Sequence, residues 1–290
     1  MNRFITGTEV ATSWRHAIEH KVKPILFTQP EEFKSLEVGP GLIAIIGGAP
    51  GQGKTALVMQ MVFEMLRLNP TLRACVCNVE LAPATLLDRE LSWQAAVNAQ
   101  MIRHRSYGQR EAIAIAEAMD RIESVMGRIA FVQSPFNTAS IAYTADEFGA
   151  NLLVVDYIQR ITVIGEHGDR RGGIDSAMNE LRLFANDGGM GVVILSAISR
   201  SKNSSGIPGY NPSGISLASF KESSELEFGV DSAWILIGGE GSDDATLKCF
   251  KNRWGEVSDI NLTFERHFQR FGKRELFLSK EWTGGGDDEF

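Results

Sequence analysis

The sequence predicts an α/β protein with a mainly parallel central sheet, helices on both faces, and an antiparallel extension of the sheet toward the C-terminal end. Three observations carry that expectation. From Gly41 onward, short apolar runs alternate with segments of helical periodicity. Those runs are apolar throughout, the pattern of strands covered on both faces rather than of a sheet with one wet side. Beyond residue 230 the helical segments stop and only strand-like runs follow.

The elements follow in order. TGTEVATSWRHAIEHK places Val10, Trp14, Ala17 and Ile18 on one side at helical spacing, and Pro24 and Pro30 keep the following segment from continuing the helix. The expectation is an amphipathic helix on a linker, packed against its own domain or docked on a neighbouring subunit. LIAIIGG is an apolar strand, KTALVMQMVFEMLRL a helix, RACVCNVEL a strand, and PATLLDRELSWQAAVNAQM one helix with Pro83 near its start. A charged helix follows from about Arg110 to Val125, then the strand RIAFVQ, a helix around TASIAYTADEF and the strand NLLVVDYI. ITVIGEHGDRRGG reads as a polar loop. The next helix sets Ile174, Met178, Leu181 and Ala185 on one face and leads to the strand GVVILSAI. SRSKNSSGIPGYNPSGIS is a long surface loop by composition. SAWILIGG, ATLKCFKN, VSDINLTFE and RELFLSK supply the antiparallel strands, and GGGDDEF reads as a disordered tail.

Composition narrows the function classes. The chain has 290 residues, 43% hydrophobic and 22% charged, with a formal net charge of -7, which argues against a surface coated in polyanion-binding charge. A local basic channel stays compatible with it. No apolar run approaches the ~20 residues of a membrane-spanning helix, and MNRFITGTEV has no apolar secretory core, so a cytoplasmic protein without membrane contact is expected. Cys75 and Cys77, two apart on one strand face, and Cys249 lack metal-site spacing and read as buried structural residues. The histidines show no ligand spacing either. Arg103, His104, Arg105 and Arg110 around Tyr107 read as a solvated helix junction.

One motif carries the chemistry. Gly48-Ala49-Pro50-Gly51-Gln52-Gly53-Lys54-Thr55 fits G-x-x-x-x-G-K-[ST] between a strand and a helix, the context the motif requires. Its backbone amides and the helix N-terminus would face phosphate oxygens, Lys54 the β and γ phosphates, and the Thr55 hydroxyl a magnesium ion. ATP with Mg2+ is therefore the expected ligand. Asp156, at the end of LLVV, sits where a parallel strand opens into the ligand crevice and is the expected carboxylate on the magnesium shell. Glu80 ends the strand after the phosphate-loop helix, is expected on a strand next to the phosphate-loop strand, and would activate water.

These segments resemble the C-terminal motor domain of DnaB-type hexameric replicative helicases, a branch of the RecA-like P-loop NTPases. The resemblance runs from about Gly41 to Phe271 and rests on GAPGQGKT, NVELAP with Arg89 after it, LLVVDYIQ, VVILSAISR, KESSELEFGVDSAWIL, and FKNRWGE with VSDINLTFERHFQRF. It implies a RecA-like core, ATP sites at subunit interfaces, and a homo-oligomeric ring, expected to be a hexamer, around single-stranded DNA. By position it makes Glu80 the catalytic glutamate, Asp156 the magnesium-shell aspartate, and Ser196 part of a sensor segment at its strand's tip. Lys251 and Arg253 match a K-x-R pair that reaches the neighbouring protomer's ATP site. On a strand these two would face the same way. Arg170 and Arg171 in one loop, and Arg200 and Lys202 in another, hold the places of DNA-binding loops, where cations and amides would track phosphates without reading bases.

The sequence also departs from the family. Ser196-Ala197-Ile198 stands where the sensor segment usually reads Ser-Gln-Leu, which removes an amide able to bond the γ-phosphate. No counterpart of the family's N-terminal primase-contacting domain is read in these residues, so a loader or replication-initiator partner is expected only in general terms. The domain reading is an N-terminal linker helix and arm over 1–37, an ATPase/helicase domain over 38–280, and an acidic tail over 281–290. The resulting expectation is an ATP-dependent DNA helicase or translocase of DNA replication. The alternative is a non-translocating regulatory ATPase of the RecA/KaiC kind, whose assembly or partner binding nucleotide controls.

Overall fold

The computed structural model describes residues 4–165, 170–199, 201–202, 208–209, 214–220, 225–239 and 242–273. In chain order the elements are α1 (Gly7–Glu19), β1 (Ile43–Gly48), α2 (Lys54–Leu68), β2 (Ala74–Asn78), α3 (Pro83–Ala95), α4 (Ala99–His104), α5 (Gln109–Met126), β3 (Ile129–Phe131), α6 (Thr138–Phe148), β4 (Leu152–Asp156), α7 (Arg170–Asn186), β5 (Gly191–Ala197), β6 (Ser201–Lys202), β7 (Pro208–Gly209), α8 (Glu225–Phe228), β8 (Ser232–Gly238), β9 (Asp244–Asn252), β10 (Ile260–Glu265) and β11 (Arg270–Gly272). The strand expected at 274–280 and the tail at 281–290 lie outside the described residues.

The main sheet runs β11-β10-β9-β8-β1-β5-β4-β2-β3. Pairing is parallel from β3 through β8 and antiparallel from β8 to β11, as the sequence predicts. Strand alternation gives the sheet two buried faces, and a third, smaller cluster lies among α3, α4 and α5. Ala44 and Ile46 face one cluster with α2, α3 and α5 residues such as Phe63, Leu86 and Ile122, while Ile43 and Ile45 face a second with Ile141, Ile174 and Leu181. Both faces are therefore covered, which is why β1, β2 and β4 are buried along their whole length and apolar up to the Asn78 and Asp156 that end β2 and β4. Each fully buried large side chain, such as Phe63 or Trp234, contributes about 1.5–3 kcal/mol. Cys75 and Cys77 share the second cluster and Cys249 the first, and all three are free and buried.

Four expectations need correction. β2 does not neighbour β1, because β5 and β4 lie between them. Consecutive parallel strands need not be neighbours, and here the crossover through α2 passes over β5 and β4 before β2 begins. The single helix expected from Pro83 is broken. Ala96 adopts φ 51°, ending α3, and the Asn98 side chain accepts from the Gln100 amide to start α4. Arg170 and Arg171 are not in a loop, since α7 begins at Arg170 and runs through Gly172 and Gly173. Packing of the apolar face Ile174, Met178, Leu181 and Ala185 outweighs the ~1 kcal/mol that each helical glycine costs. Finally, α1 does not pack on its own domain. It is closed by a capping box between Thr6 and Glu9 but buries no residue, and Trp14 and Ile18 are 61% and 64% exposed. No helix among the described residues is long and apolar enough to cross a membrane.

Candidate functional site: a phosphate cradle at the strand ends

The C-terminal ends of β1, β4 and β5 and the loop after β2 meet in a cleft of about 300 Å³, at the lower end of the range for small-molecule sites. Its walls include Gly48, Pro50, Gly51, Gly53, Lys54, Thr55, Glu80, Arg89, Asp156 and Ala197. The loop from β1 to α2 turns on two left-handed glycines, Gly51 (φ 78°) and Gly53 (φ 88°), the second being the N-cap of α2. With no side chain capping α2, its first amides are left to whatever the cleft holds.

The C-terminal antiparallel strands brace this loop. Phe264 and Phe271 stack with centroids 4.1 Å apart, and the Gln60 side chain on α2 exchanges two 2.8 Å hydrogen bonds with the Phe271 backbone. Arg266 donates to the Gly51 carbonyl at 3.2 Å. A Cβ on Gly53 would lie 2.8 Å from the Phe264 ring, whereas one on Gly51 would meet nothing within 4 Å. Gly53→Ala is accordingly expected to weaken nucleotide binding and lower Tm more than Gly51→Ala, which carries only the left-handed backbone cost of about 1–2 kcal/mol. Thermal denaturation with and without ATP, run on both variants, checks this order.

Lys54 curls into the cradle, its Nζ donating to the carbonyls of Gly48 (2.8 Å) and Ala49 (3.0 Å). Burial pushes its amine pKa down, partly opposed by Asp156 and Glu80. Asp156 Oδ2 accepts from the Thr55 hydroxyl at 2.7 Å and from Asn78 Nδ2 at 2.6 Å. Burial pushes this carboxyl up and Glu80 adds to the rise, while the Thr55 hydrogen bond, Lys54 and Arg89 oppose it. Asn78 Oδ1 in turn accepts from the amides of Glu80 (3.0 Å) and Leu81 (2.7 Å). One buried amide thus ties the Asp156 strand to the turn that carries Glu80.

Thr55 and Asp156 are hard oxygen donors, the kind a magnesium ion takes. Among the described residues no group of three or more His, Cys, Asp or Glu could hold a metal alone, so phosphate oxygens and water would have to complete the shell. The residues fit a magnesium-triphosphate ligand on that basis.

The remaining expected residues are placed less uniformly. Ala49 contributes its carbonyl, and Gln52 turns toward Gly238 on β8. Ser196 is fully buried. Its hydroxyl accepts from Gln159 Nε2 at 2.8 Å and donates to the Ala197 carbonyl at 3.0 Å, and the neighbouring Ala197 is the residue of this segment that lines the cleft. Lys251 and Arg253 do converge, both reaching the Phe228 carbonyl, but far from this cradle. Asn252 pairs with Ser232 and Ser232 with Ala44. Gly48 therefore lies about 13 Å farther along the strands and about 10 Å across them. Arg200 lies outside the described residues. Lys202 is described in its backbone only, in the small β6–β7 hairpin.

Asn78 and Arg89 were missed as site residues. Asn78 had a signal, a polar side chain at the buried end of an apolar strand. Arg89 reaches the cleft from α3, and burial pushes its pKa down, opposed by Asp156.

Comparisons with known proteins bear on the fold and on the family. The ATPase domain of G40P superposes with a TM-score of 0.79 at 18% identity, covering 92% of this chain and 98% of that one. "The Structure Of A DnaB-Like Replicative Helicase And Its Interactions With Primase" gives 0.77 at 18% identity, over 94% of this chain and 68% of the other. Both likenesses bear on the fold, which is that of a RecA-like DnaB helicase domain. Comparison with curated proteins gives no match. At the level of sequence, the family described as "DnaB-like helicase C terminal domain" matches residues 36–273, which include every described strand and the whole cradle, and the chain belongs to that family.

Proposed function

We propose that this chain is the motor of an ATP-dependent DNA helicase or translocase, hydrolysing ATP at the interfaces of a ring of identical subunits around single-stranded DNA. One observation carries the reading: a complete phosphate cradle and a converging cation pair lie at opposite ends of the same sheet, so Arg253 cannot serve its own cradle. A heterologous contact, cradle to cation edge, repeats around a closed ring. Residues 1–37 act as an arm and 38–280 as the ATPase domain. The exposed apolar face of α1 seats in the apolar groove that Leu87, Leu91, Ile102, Tyr107 and Met119 line on the next copy.

In this mechanism Lys54 leaves the Gly48 and Ala49 carbonyls for the β and γ phosphates of ATP. Thr55 and Asp156 would hold magnesium, which would neutralise phosphate charge when bound. Glu80, aimed by Asn78, orients and deprotonates the attacking water. Arg253 of the adjacent subunit, with Lys251, meets the charge that develops on the transferring phosphoryl group. The segments holding Arg170, Arg171, Arg200 and Lys202 track the DNA backbone.

One observation favours the regulatory alternative: Ala197 lines the cleft and has no side-chain amide with which to sense the γ-phosphate. Steady-state ATP hydrolysis with and without single-stranded DNA separates the two. A motor is stimulated strongly by DNA and unwinds a 5′-tailed duplex; indifference to DNA and an untouched duplex would replace this reading with the regulatory one.

A further inference from the structure

Three cations gather at the end of the sheet away from the cradle, and one buried carboxylate joins two of them. Asp231, just before β8, is 6% exposed. Its Oδ1 accepts from Arg253 Nη1 at 3.1 Å. Its Oδ2 accepts from Arg182 Nη1 on α7 at 3.0 Å and from the Ile43 amide at 2.8 Å. Backbone bonds repeat the connection, since the Arg253 amide donates to the Asp231 carbonyl (3.0 Å) and the Asp231 amide to that of Ile43 (2.8 Å). Arg182 also donates to the carbonyls of Gly41 and Gly229. Lys251 Nζ donates to the Glu227 and Phe228 carbonyls at 2.8 and 3.2 Å.

Arginine has a long, rotamer-rich side chain, and one that must meet a phosphoryl group on another subunit loses that freedom at the moment of reaction unless it is already held. Here the root of Arg253 is fixed by its amide and one end of its guanidinium by a charge-assisted bond to a carboxylate that is itself anchored to β1 and α7. The guanidinium has five N–H donors. Nη1 serves Asp231 and Nη2 the Phe228 carbonyl, and the side chain is still 46% exposed. The Asp231 charge also offsets the repulsion among Lys251, Arg253 and Arg182. Burial pushes the Lys251 amine pKa down, the two arginines add to that, and Asp231 opposes it.

We propose that Asp231 is a positioning residue for the arginine that completes the neighbouring ATP site, holding Arg253 outward in one orientation. This rests on the reading of Arg253 as acting across the subunit interface. Asp231→Asn keeps the size of the side chain and removes its charge. In the assembled protein it should lower ATP turnover about 10- to 100-fold, the scale of a small misplacement of a catalytic group. Affinity for a fluorescent ATP analogue should stay within about twofold, because the cradle is untouched.

Mixed assemblies separate positioning from general damage. Asp231→Asn subunits keep a working cradle, so mixing them with Lys54→Ala subunits, which keep a well-held Arg253, should restore turnover. Mixing them with Arg253→Ala subunits should not, because both lesions strike the same half of the shared site. Wild-type turnover by Asp231→Asn, rescue by Arg253→Ala, or failure of rescue by Lys54→Ala would each overturn the proposal. Wild-type turnover by Arg253→Ala alone would instead remove the interface reading beneath it. If thermal denaturation shows that Asp231→Asn does not fold, Asp231→Glu, which keeps the charge and lengthens the side chain, is read by the same mixtures and must group with Arg253→Ala.

Discussion

Arg253→Ala should lower ATP hydrolysis by the assembled protein about 10³- to 10⁵-fold, the effect of removing an arginine from a phosphoryl-transfer transition state. Nucleotide binding should change little, because every atom of the cradle lies at the other end of the strands. The fold should hold as well, since Asp231 keeps its bonds to Arg182 and the Ile43 amide. Mixing gives the decisive measurement. Lys54→Ala and Arg253→Ala subunits are each inactive alone, yet in a random equal mixture roughly a quarter of the interfaces join an intact cradle to an intact arginine. Turnover should return to roughly that fraction of wild type. No recovery, in mixtures shown by size to be assembled, would mean that Arg253 does not act across an interface.

What the sequence made legible and what it did not divide along a physical line. The phosphate loop was legible because its chemistry is local: glycines, lysine and threonine must follow one another at fixed spacing to wrap an anion. Asp156 and Glu80 were legible because apolar runs end at them, and the C-terminal ends of parallel strands are where ligands bind. The order of the strands was not, because β2 pairs with β4 through contacts that no local pattern encodes. The same holds for Asn78, which meets Asp156 across 78 positions, and for Asp231, which meets Ile43 across 188. A lone Asn or Asp at a strand end looks alike whether solvated or holding two segments together. Ala96 shows the converse limit. A left-handed alanine ends α3, although nothing in its side chain favours that conformation.

Glu80→Gln should bind ATP and leave it largely unhydrolysed, with turnover down about 10²- to 10⁴-fold, the range a positioned general base contributes. The geometry makes this substitution a clean one. Glu80 is placed through its backbone, whose amide donates to Asn78 Oδ1, so an isosteric glutamine takes up the same position without its charge. Electrostatics then predict the direction of binding. Glu80 helps push Asp156 up and draws on the Lys54 amine, so its carboxylate stands among groups that must receive a polyanion. Replacing it with a neutral amide removes one repulsion from the incoming triphosphate, and ATP affinity should be unchanged or higher. The opposite holds for Lys54→Ala, which removes the cation and should lose affinity along with turnover. Equilibrium binding of a fluorescent ATP analogue together with single-turnover hydrolysis distinguishes the two variants. A Glu80→Gln protein that hydrolyses ATP at the wild-type rate would take the role of base away from this residue. A variant that instead binds ATP more weakly would mean that Glu80 supports the nucleotide rather than the water.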